Sequence, residues 1–438
     1  MLTFRRRHLD VSPYARIRDG DTFPFDGKAR HRSGNQETSR SLSFQFLPAS
    51  IVRMYKPLLG SLIYIPTQKR LPRRTYTLAR TLDSCQGAIL CLGSTEDGSY
   101  LAAGGTGGTT LWNLSDNQRL TRPAGPGQRG ATTVLMWIRR TDEPREILYF
   151  GTQNGYIVCW KQLLERSEDF EERSSFQLHN PGEITGIDFD STSNRLAVAN
   201  RNGTVVLFSV ESPMVPLGSI SIQHHVPKTL TFGEASGNRG HQDLLVFGLG
   251  GRISILKHQD EKLLIHATLE KCYSGHAAIT TTKDVICVDD PAEGAAIYKL
   301  QDGARVRTFA VPVKKSHRPR QVAFGEDGKV VVSGSDHGVV YVYERRTGLK
   351  MNELKVDLED WVQALATMRL KEIPCIMAAR SRELGGNSQI YIWEKGITDK
   401  NKIQIFNLKL LVSSLMCLAT LGFVYQNIVW IPESDAVL

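Results

Sequence analysis

Short runs of apolar residues recur along the middle of the chain, and each run ends in a turn rich in glycine, asparagine or aspartate. The clearest case is residues 328–344, GKVVVSGSDHGVVYVYE, where two apolar runs flank the turn SDHG. This pattern predicts a β-hairpin, because Gly338 can adopt a positive φ and Asp336 can accept backbone amides across the turn. With a strand predicted on either side, residues 320–354 form one four-stranded antiparallel unit.

Weaker copies of this unit recur from residue 74 to residue 396, at intervals of roughly 30 to 45 residues. Six further sets of three strands are predicted, over 88–113, 134–160, 184–210, 229–256, 278–299 and 362–393. The last set lacks an outer strand of its own, whereas a lone strand at 76–82 precedes the first set. Pairing that strand with 389–393 closes a ring and leaves no sheet edge open. The sequence therefore predicts an all-β ring of seven blades.

The repeats resemble those of the WD40 β-propeller superfamily. The residues that carry the resemblance are Trp112, Trp160, Trp393 and Tyr343 at the Trp-Asp position of the family motif, and Gly275-His276 at the Gly-His position. In that family a His, a Ser or Thr, the hairpin Asp and the Trp form a buried hydrogen-bond network. The resemblance assigns Ser333 and Asp336 to this network in the sixth unit, with Tyr343 in place of the Trp. It implies a propeller that binds other proteins.

One insertion interrupts the second unit. Residues 161–177, KQLLERSEDFEERSSFQ, are charged and predict a helix between the third and fourth strands of that blade. Its acidic residues are expected either on a solvated face or at a docking site.

The chain is basic, with 54 Lys and Arg against 45 Asp and Glu, a formal net charge of +9. This excess favours an acidic partner, although a solvated surface explains it equally well. The candidate partner-binding residues lie in two predicted loops and are Lys314, Lys315, Arg318, Arg320 and Arg382. Such side chains suit an acidic peptide or a phosphate group.

The seven cysteines are scattered and form no CxxC pair. Reduced thiols and an intracellular location are therefore expected. The histidines match no metal-ligand spacing, and no nucleophile elbow, phosphate-binding loop or pair of catalytic carboxylates stands out. Neither a cofactor nor enzymatic activity is expected.

The ends of the chain depart from the repeat. Residues 1–73 are expected to be a mostly disordered basic arm, 397–409 a polar linker and 432–438 a short tail. Residues 410–431 carry no charge and are long enough for a transmembrane helix; a segment packed on the propeller is the alternative. The residues expected in the membrane include Leu410, Leu415, Leu418, Phe423 and Trp430.

Two functional hypotheses follow. The first is a non-catalytic scaffold that binds a protein or peptide on one face of the ring and is either soluble or tethered to an intracellular membrane with the propeller in the cytosol. The alternative is a soluble nuclear or chromatin-associated adaptor for acidic partners, imported through the basic cluster at 69–74. A monomer is expected, and nucleic acid is not an expected ligand.

Overall fold

The structure, a computed structural model, describes residues 74–397. Short gaps within that range fall at 126, 167, 212–213, 236–241, 271–274, 281, 291, 316–317, 319, 357–360 and 382–386. The predicted basic arm, transmembrane helix and tail and all of the linker after Ile397 lie outside the described residues, as do Arg382, Leu410, Leu415, Leu418, Phe423 and Trp430. Within the described part of the chain, no helix is long and apolar enough to cross a membrane.

Described residues form seven antiparallel sheets of four strands each, and each sheet is one blade of a ring. The first strand, β1 (Arg74–Gln86), belongs to the last blade. Blades 1 to 3 comprise β2 (Ile89–Ser94), β3 (Tyr100–Gly105), β4 (Gly108–Asn113), β5 (Gln118–Arg119); β6 (Thr132–Arg140), β7 (Glu143–Thr152), β8 (Tyr156–Gln162), β9 (Phe170–Gln177); and β10 (Ile184–Asp190), β11 (Arg195–Asn200), β12 (Thr204–Ser209), β13 (Val215–Ser221).

The remaining blades continue in chain order. Blades 4 to 6 comprise β14 (Pro227–Ala235), β15 (Gln242–Gly248), β16 (Arg252–Gln259), β17 (Lys262–Glu270); β18 (Ala277–Ile279), β19 (Val285–Asp290), β20 (Gly294–Lys299), β21 (Arg305–Ala310); and β22 (Val322–Gly325), β23 (Val330–Ser333), β24 (Val339–Glu344), β25 (Lys350–Lys355). Blade 7 comprises β26 (Leu365–Leu370), β27 (Ile373–Ala379), β28 (Asn387–Ile397) and β1. The predicted all-β ring of seven blades is confirmed.

Strand β1 closes the ring, as the missing outer strand of the last repeat predicts. It pairs antiparallel with β28, with Leu78 opposite Trp393 and Leu82 opposite Ile390. The side chains of Tyr76 and Leu82 are buried, at 5% and 3% exposure. Because β1 occupies the outer edge of β28, the last blade is as complete as the other six.

The core lies between neighbouring blades, and blade 6 shows why its strands are unbroken apolar runs. Val330, Val332, Val340 and Val342 pack towards blade 7, whereas Val331 and Tyr341 pack towards blade 5. Both faces of the two middle strands are therefore covered. A strand buried on both faces reads as a continuous apolar run instead of an alternating one.

The helix predicted over 161–177 is wrong, because the structure forms a strand there. Strand β9 starts at Phe170 and pairs with β8, placing Cys159 opposite Ser174 and Lys161 opposite Glu171. Phe170 is buried, and its neighbours alternate in exposure along the strand. The run of charges resembles a helix surface, but the ladder of hydrogen bonds that completes the blade outweighs this local preference.

Each blade presents equivalent loops at the same end of the ring. Because consecutive strands are antiparallel, the turn between the second and third strands lies beside the connection from the preceding blade. Backbone hydrogen bonds join the two: Gln153 N–H donates to Ala131 O (2.8 Å) in blade 2, and Leu249 N–H donates to Val226 O (2.8 Å) in blade 4. We call this end of the ring the hairpin face.

Candidate interaction surface on the hairpin face

The turn of blade 6 is held by Ser335 and its neighbours. Ser335 Oγ accepts the backbone amides of His337 (3.3 Å) and Val339 (3.0 Å). Asp336, which the sequence predicts to accept amides of its own turn, instead accepts amides of the connection from blade 5. Lys314 N–H donates to Asp336 Oδ2 at 3.0 Å, and Lys315 N–H donates to the same oxygen at 2.5 Å. Asp336 therefore fixes the backbone of the basic connection to the hairpin.

A buried chain of hydrogen bonds extends from Asp336 into blade 6. His337 Nδ1 lies 2.6 Å from Asp336 Oδ1, and His337 Nε2 lies 2.9 Å from the Tyr341 hydroxyl. Since a carboxylate only accepts, His337 donates through Nδ1, and its Nε2 is hydrogen-bonded to the Tyr341 hydroxyl. All three residues are nearly inaccessible to solvent. The chain orients the Asp336 carboxylate towards the connection.

The other residues that the resemblance assigned to a shared network lie in separate contacts. Ser333 Oγ donates to Gly334 O at 3.2 Å. The Tyr343 hydroxyl donates to Ala310 O in blade 5. Their roles are therefore to fasten blade 6 internally and to blade 5.

The three motif tryptophans are buried in the sheets, Trp112 at 2%, Trp160 at 4% and Trp393 at 3% exposure. Trp160 packs edge-on against Phe150, with ring centroids 4.8 Å apart. Trp393 stacks on Tyr391 at 5.9 Å. Large aromatic side chains in these positions fill the space between strands of neighbouring blades.

His276 joins blade 5 to blade 6. Its Nδ1 atom accepts the backbone amide of Val322 at 3.4 Å. Burial lowers the pKa of His276 to about 4, so that the ring is neutral at physiological pH and can act as an acceptor.

The residues of the predicted basic loop differ in their exposure to solvent. Lys314 and Lys315 are exposed on the hairpin face, and the Arg318 guanidinium lies over the Trp361 ring at 5.1 Å from its centroid. Arg320, in contrast, is 3% exposed, and its Nε donates to Asp289 Oδ1 at 2.9 Å. The prediction that Arg320 belongs to a partner-binding loop is wrong, because its charge is already paired inside the ring.

Asp289 is the buried partner that sequence reasoning missed. Burial raises the pKa of the Asp289 carboxyl to about 6, and the Arg320 guanidinium opposes this rise. The carboxylate is therefore ionised at neutral pH and balances Arg320. The one signal in the sequence is an acidic pair, DD, at the end of the apolar run of β19.

Cys91, Cys159, Cys287 and Cys375 are buried, and the last three are free thiols. Burial raises the pKa of Cys159 and of Cys375 to about 11, which disfavours the reactive thiolate. In the part of the chain that the structure describes, no three His, Cys, Asp or Glu side chains are grouped as metal ligands.

A comparison with protein families agrees with this architecture. The family model described as WD domain, G-beta repeat matches residues 170–209. That span covers β9 and the first three strands of blade 3, so the repeat is offset from the blade by one strand. The same offset lets β1 complete blade 7. The matched repeat and the seven-bladed ring together support the assignment of the chain to the WD40 β-propeller superfamily. No curated protein matches the chain in sequence.

Replacing Asp336 by Ala is expected to destabilise the propeller by about 1–3 kcal/mol, because two backbone amides and His337 lose their acceptor. Chemical denaturation followed by circular dichroism measures the loss. Asp302→Ala is the matched control, since Asp302 lies in an exposed turn and accepts the amide of Ala304. A loss below about 0.5 kcal/mol for Asp336→Ala, the usual value for a surface position, would contradict this role.

Proposed function

We propose that this protein is a non-catalytic scaffold whose hairpin face binds a partner protein through an acidic segment. WD40 propellers typically serve as platforms for protein interactions, and the membership described above supports that general role. The specific proposal rests on the basic connection between blades 5 and 6. There Lys314 and Lys315 are exposed to solvent on a backbone that Asp336 holds in place.

The fixed backbone matters because ordering a flexible loop on binding reduces affinity. The bonds from Lys314 and Lys315 to Asp336 order the connection before a partner arrives. Arg318 rests on the half-buried Trp361 ring beside them, which restricts its side chain. Arginine and aromatic side chains are enriched at the centres of protein interfaces. Exposed lysines around such a centre accelerate association with an acidic partner.

Two finer parts of the hypothesis concern segments that lie wholly or mostly outside the described residues. Membrane tethering through 410–431 and nuclear import through 69–74 both stay predictions. The scaffold proposal requires neither, since it rests on blade 6.

The proposal predicts that reversing both exposed charges, in Lys314→Glu/Lys315→Glu, reduces partner capture by about tenfold or more, because like charges then face each other across the interface. The measurement is affinity purification of the full chain, with quantitative mass spectrometry of the captured proteins. Lys299→Glu/Lys371→Glu is the matched control, because both lysines are exposed and lie at the opposite end of the ring.

Partners lost with the first variant and retained with the control support the proposal. Raising the salt concentration should weaken the same partners in the wild-type chain, since exposed charge interactions are screened. Equal capture by both variants would refute binding through blade 6.

A further inference from the structure

A polar cleft of about 270 Å³ opens on the hairpin face between blades 1 and 2. One wall is the hairpin turn of blade 1, and another is the glycine-rich connection over residues 122–130. Phe150, Trp160 and Glu172 of blade 2 complete the lining. The cleft shares no lining residue with the basic connection of blade 6.

Two arginines of the connection contribute to the cleft in different ways. Arg129 donates to both carboxylate oxygens of Glu172, at 2.8 and 2.6 Å, and the two charges balance. Arg122 donates to the backbone oxygen of Gly107 at 3.2 Å, and no carboxylate in the described chain pairs with it. The Arg122 side chain is exposed to solvent. The cleft therefore carries one uncompensated positive charge.

Two buried donors at the cleft have no acceptor among the residues that the structure describes. Among the described residues, none accepts a hydrogen bond from Trp160 Nε1 or from Arg129 Nε. Native proteins satisfy nearly all buried N–H groups, and an exception at a cleft invites an oxygen from outside the chain. A ligand oxygen placed there adds a hydrogen bond that the protein alone does not make.

Glycines bring the walls close to the charged groups. A Cβ atom on Gly108 would lie 1.7 Å from Arg122 Nη2, and one on Gly125 would lie 2.4 Å from Glu172 Oε2. Any larger residue at either position would displace the charged group. The glycines thus keep space in the cleft for a small ligand group.

We infer that the cleft binds the side-chain carboxylate of a glutamate in an extended peptide. One uncompensated guanidinium matches one negative charge, whereas a doubly charged phosphate leaves one negative charge unbalanced. The small accessible parts of the otherwise buried Trp160 and Phe150 rings are the apolar surface for the methylene groups of the glutamate. The volume is below that of a typical drug-sized pocket, and it suits one side chain better than a whole small molecule. This site is additional to the proposed surface on blade 6.

The test uses the full chain and three pools of fluorescent nonapeptides whose central residue is Glu, Gln or phosphoserine. Fluorescence anisotropy should give about tenfold or tighter binding for the Glu pool than for either other pool. Arg122→Gln should abolish this preference, and Arg122→Lys should retain part of it. Melting temperatures of the variants check that the ring is folded.

A second readout locates the peptide. The indole N–H resonance of Trp160, one of six tryptophans in the chain, is identified by its loss in Trp160→Phe. It should shift on addition of the Glu pool and remain in place with the Gln pool.

Equal binding of the Glu and Gln pools would overturn the inference, as would tighter binding of the phosphoserine pool. The Lys314→Glu/Lys315→Glu variant separates the two proposals. It should bind the Glu pool like the wild-type chain. A preference for Glu that depends on Lys314 and Lys315 but persists in Arg122→Gln would exclude the cleft as the binding site. It would be consistent with binding at the blade 6 surface.

Discussion

A chain without residues 74–86 is expected to aggregate and to lose its cooperative unfolding transition. The deletion removes β1, and with it the buried Tyr76 and Leu82 and the ion pair of Arg80 with Glu394 (2.8 Å). It also uncovers the edge of β28, whose apolar residues then offer unpaired backbone groups to other chains. Size-exclusion chromatography and thermal denaturation measure both effects.

Two substitutions in the same strand refine this test. Leu82→Ala should cost about 2–5 kcal/mol, because it leaves a cavity in the core. Leu78→Ala is the matched control and should cost less than about 0.5 kcal/mol, since Leu78 is 53% exposed. Similar small losses for both, together with a cooperative transition in the deleted chain, would show that β1 does not close the ring.

Asp289→Asn is expected to destabilise the protein by about 3–5 kcal/mol, because it leaves the Arg320 guanidinium buried without its counter-charge. Arg320 Nη2 lies 2.8 Å from Asp289 Oδ1, and both side chains are almost fully buried, at 3% and 0% exposure. Denaturation with urea, followed by circular dichroism, measures the loss.

The double variant Asp289→Leu/Arg320→Met is the control for this pair. It should recover much of the stability lost in Asp289→Asn, because two apolar side chains carry no buried charge. A double variant that is no more stable than Asp289→Asn would indicate that solvent reaches the pair. A loss below about 1 kcal/mol in Asp289→Asn would indicate the same.

The sequence predicted most of the fold because the repeat is local. Apolar runs and turn residues identify the strands of blade 6, and the counting of strands alone predicts that β1 pairs with β28. The helix prediction for 161–177 is wrong because the charge composition favours a helix, whereas pairing with a neighbouring strand favours β-structure. Its pairing partner β8 decides the outcome, and no local pattern records that contact.

The candidate site was less accessible to sequence reasoning. Arg320 lies in a basic run that looks solvated, but its partner Asp289 is 31 positions away, in another blade. Ser335 accepts the turn amides that the pattern assigned to Asp336, since both residue types suit the turn. That Trp160 Nε1 has no acceptor within the described residues is a result of packing, and no residue type in the sequence signals it.

Because β1 pairs with β28, the ring closes only when synthesis of the propeller is nearly finished. Arg80 and its partner Glu394 are separated by 314 positions, so β1 leaves the ribosome long before its partner strand exists. At about 5–20 residues per second, the wait is roughly 16–63 s. During that time β1 is an unpaired strand, and the growing blades have an open end. Nascent chains of this protein are therefore expected to depend on chaperones until β28 is released, and any chain truncated before residue 387 retains that exposed edge.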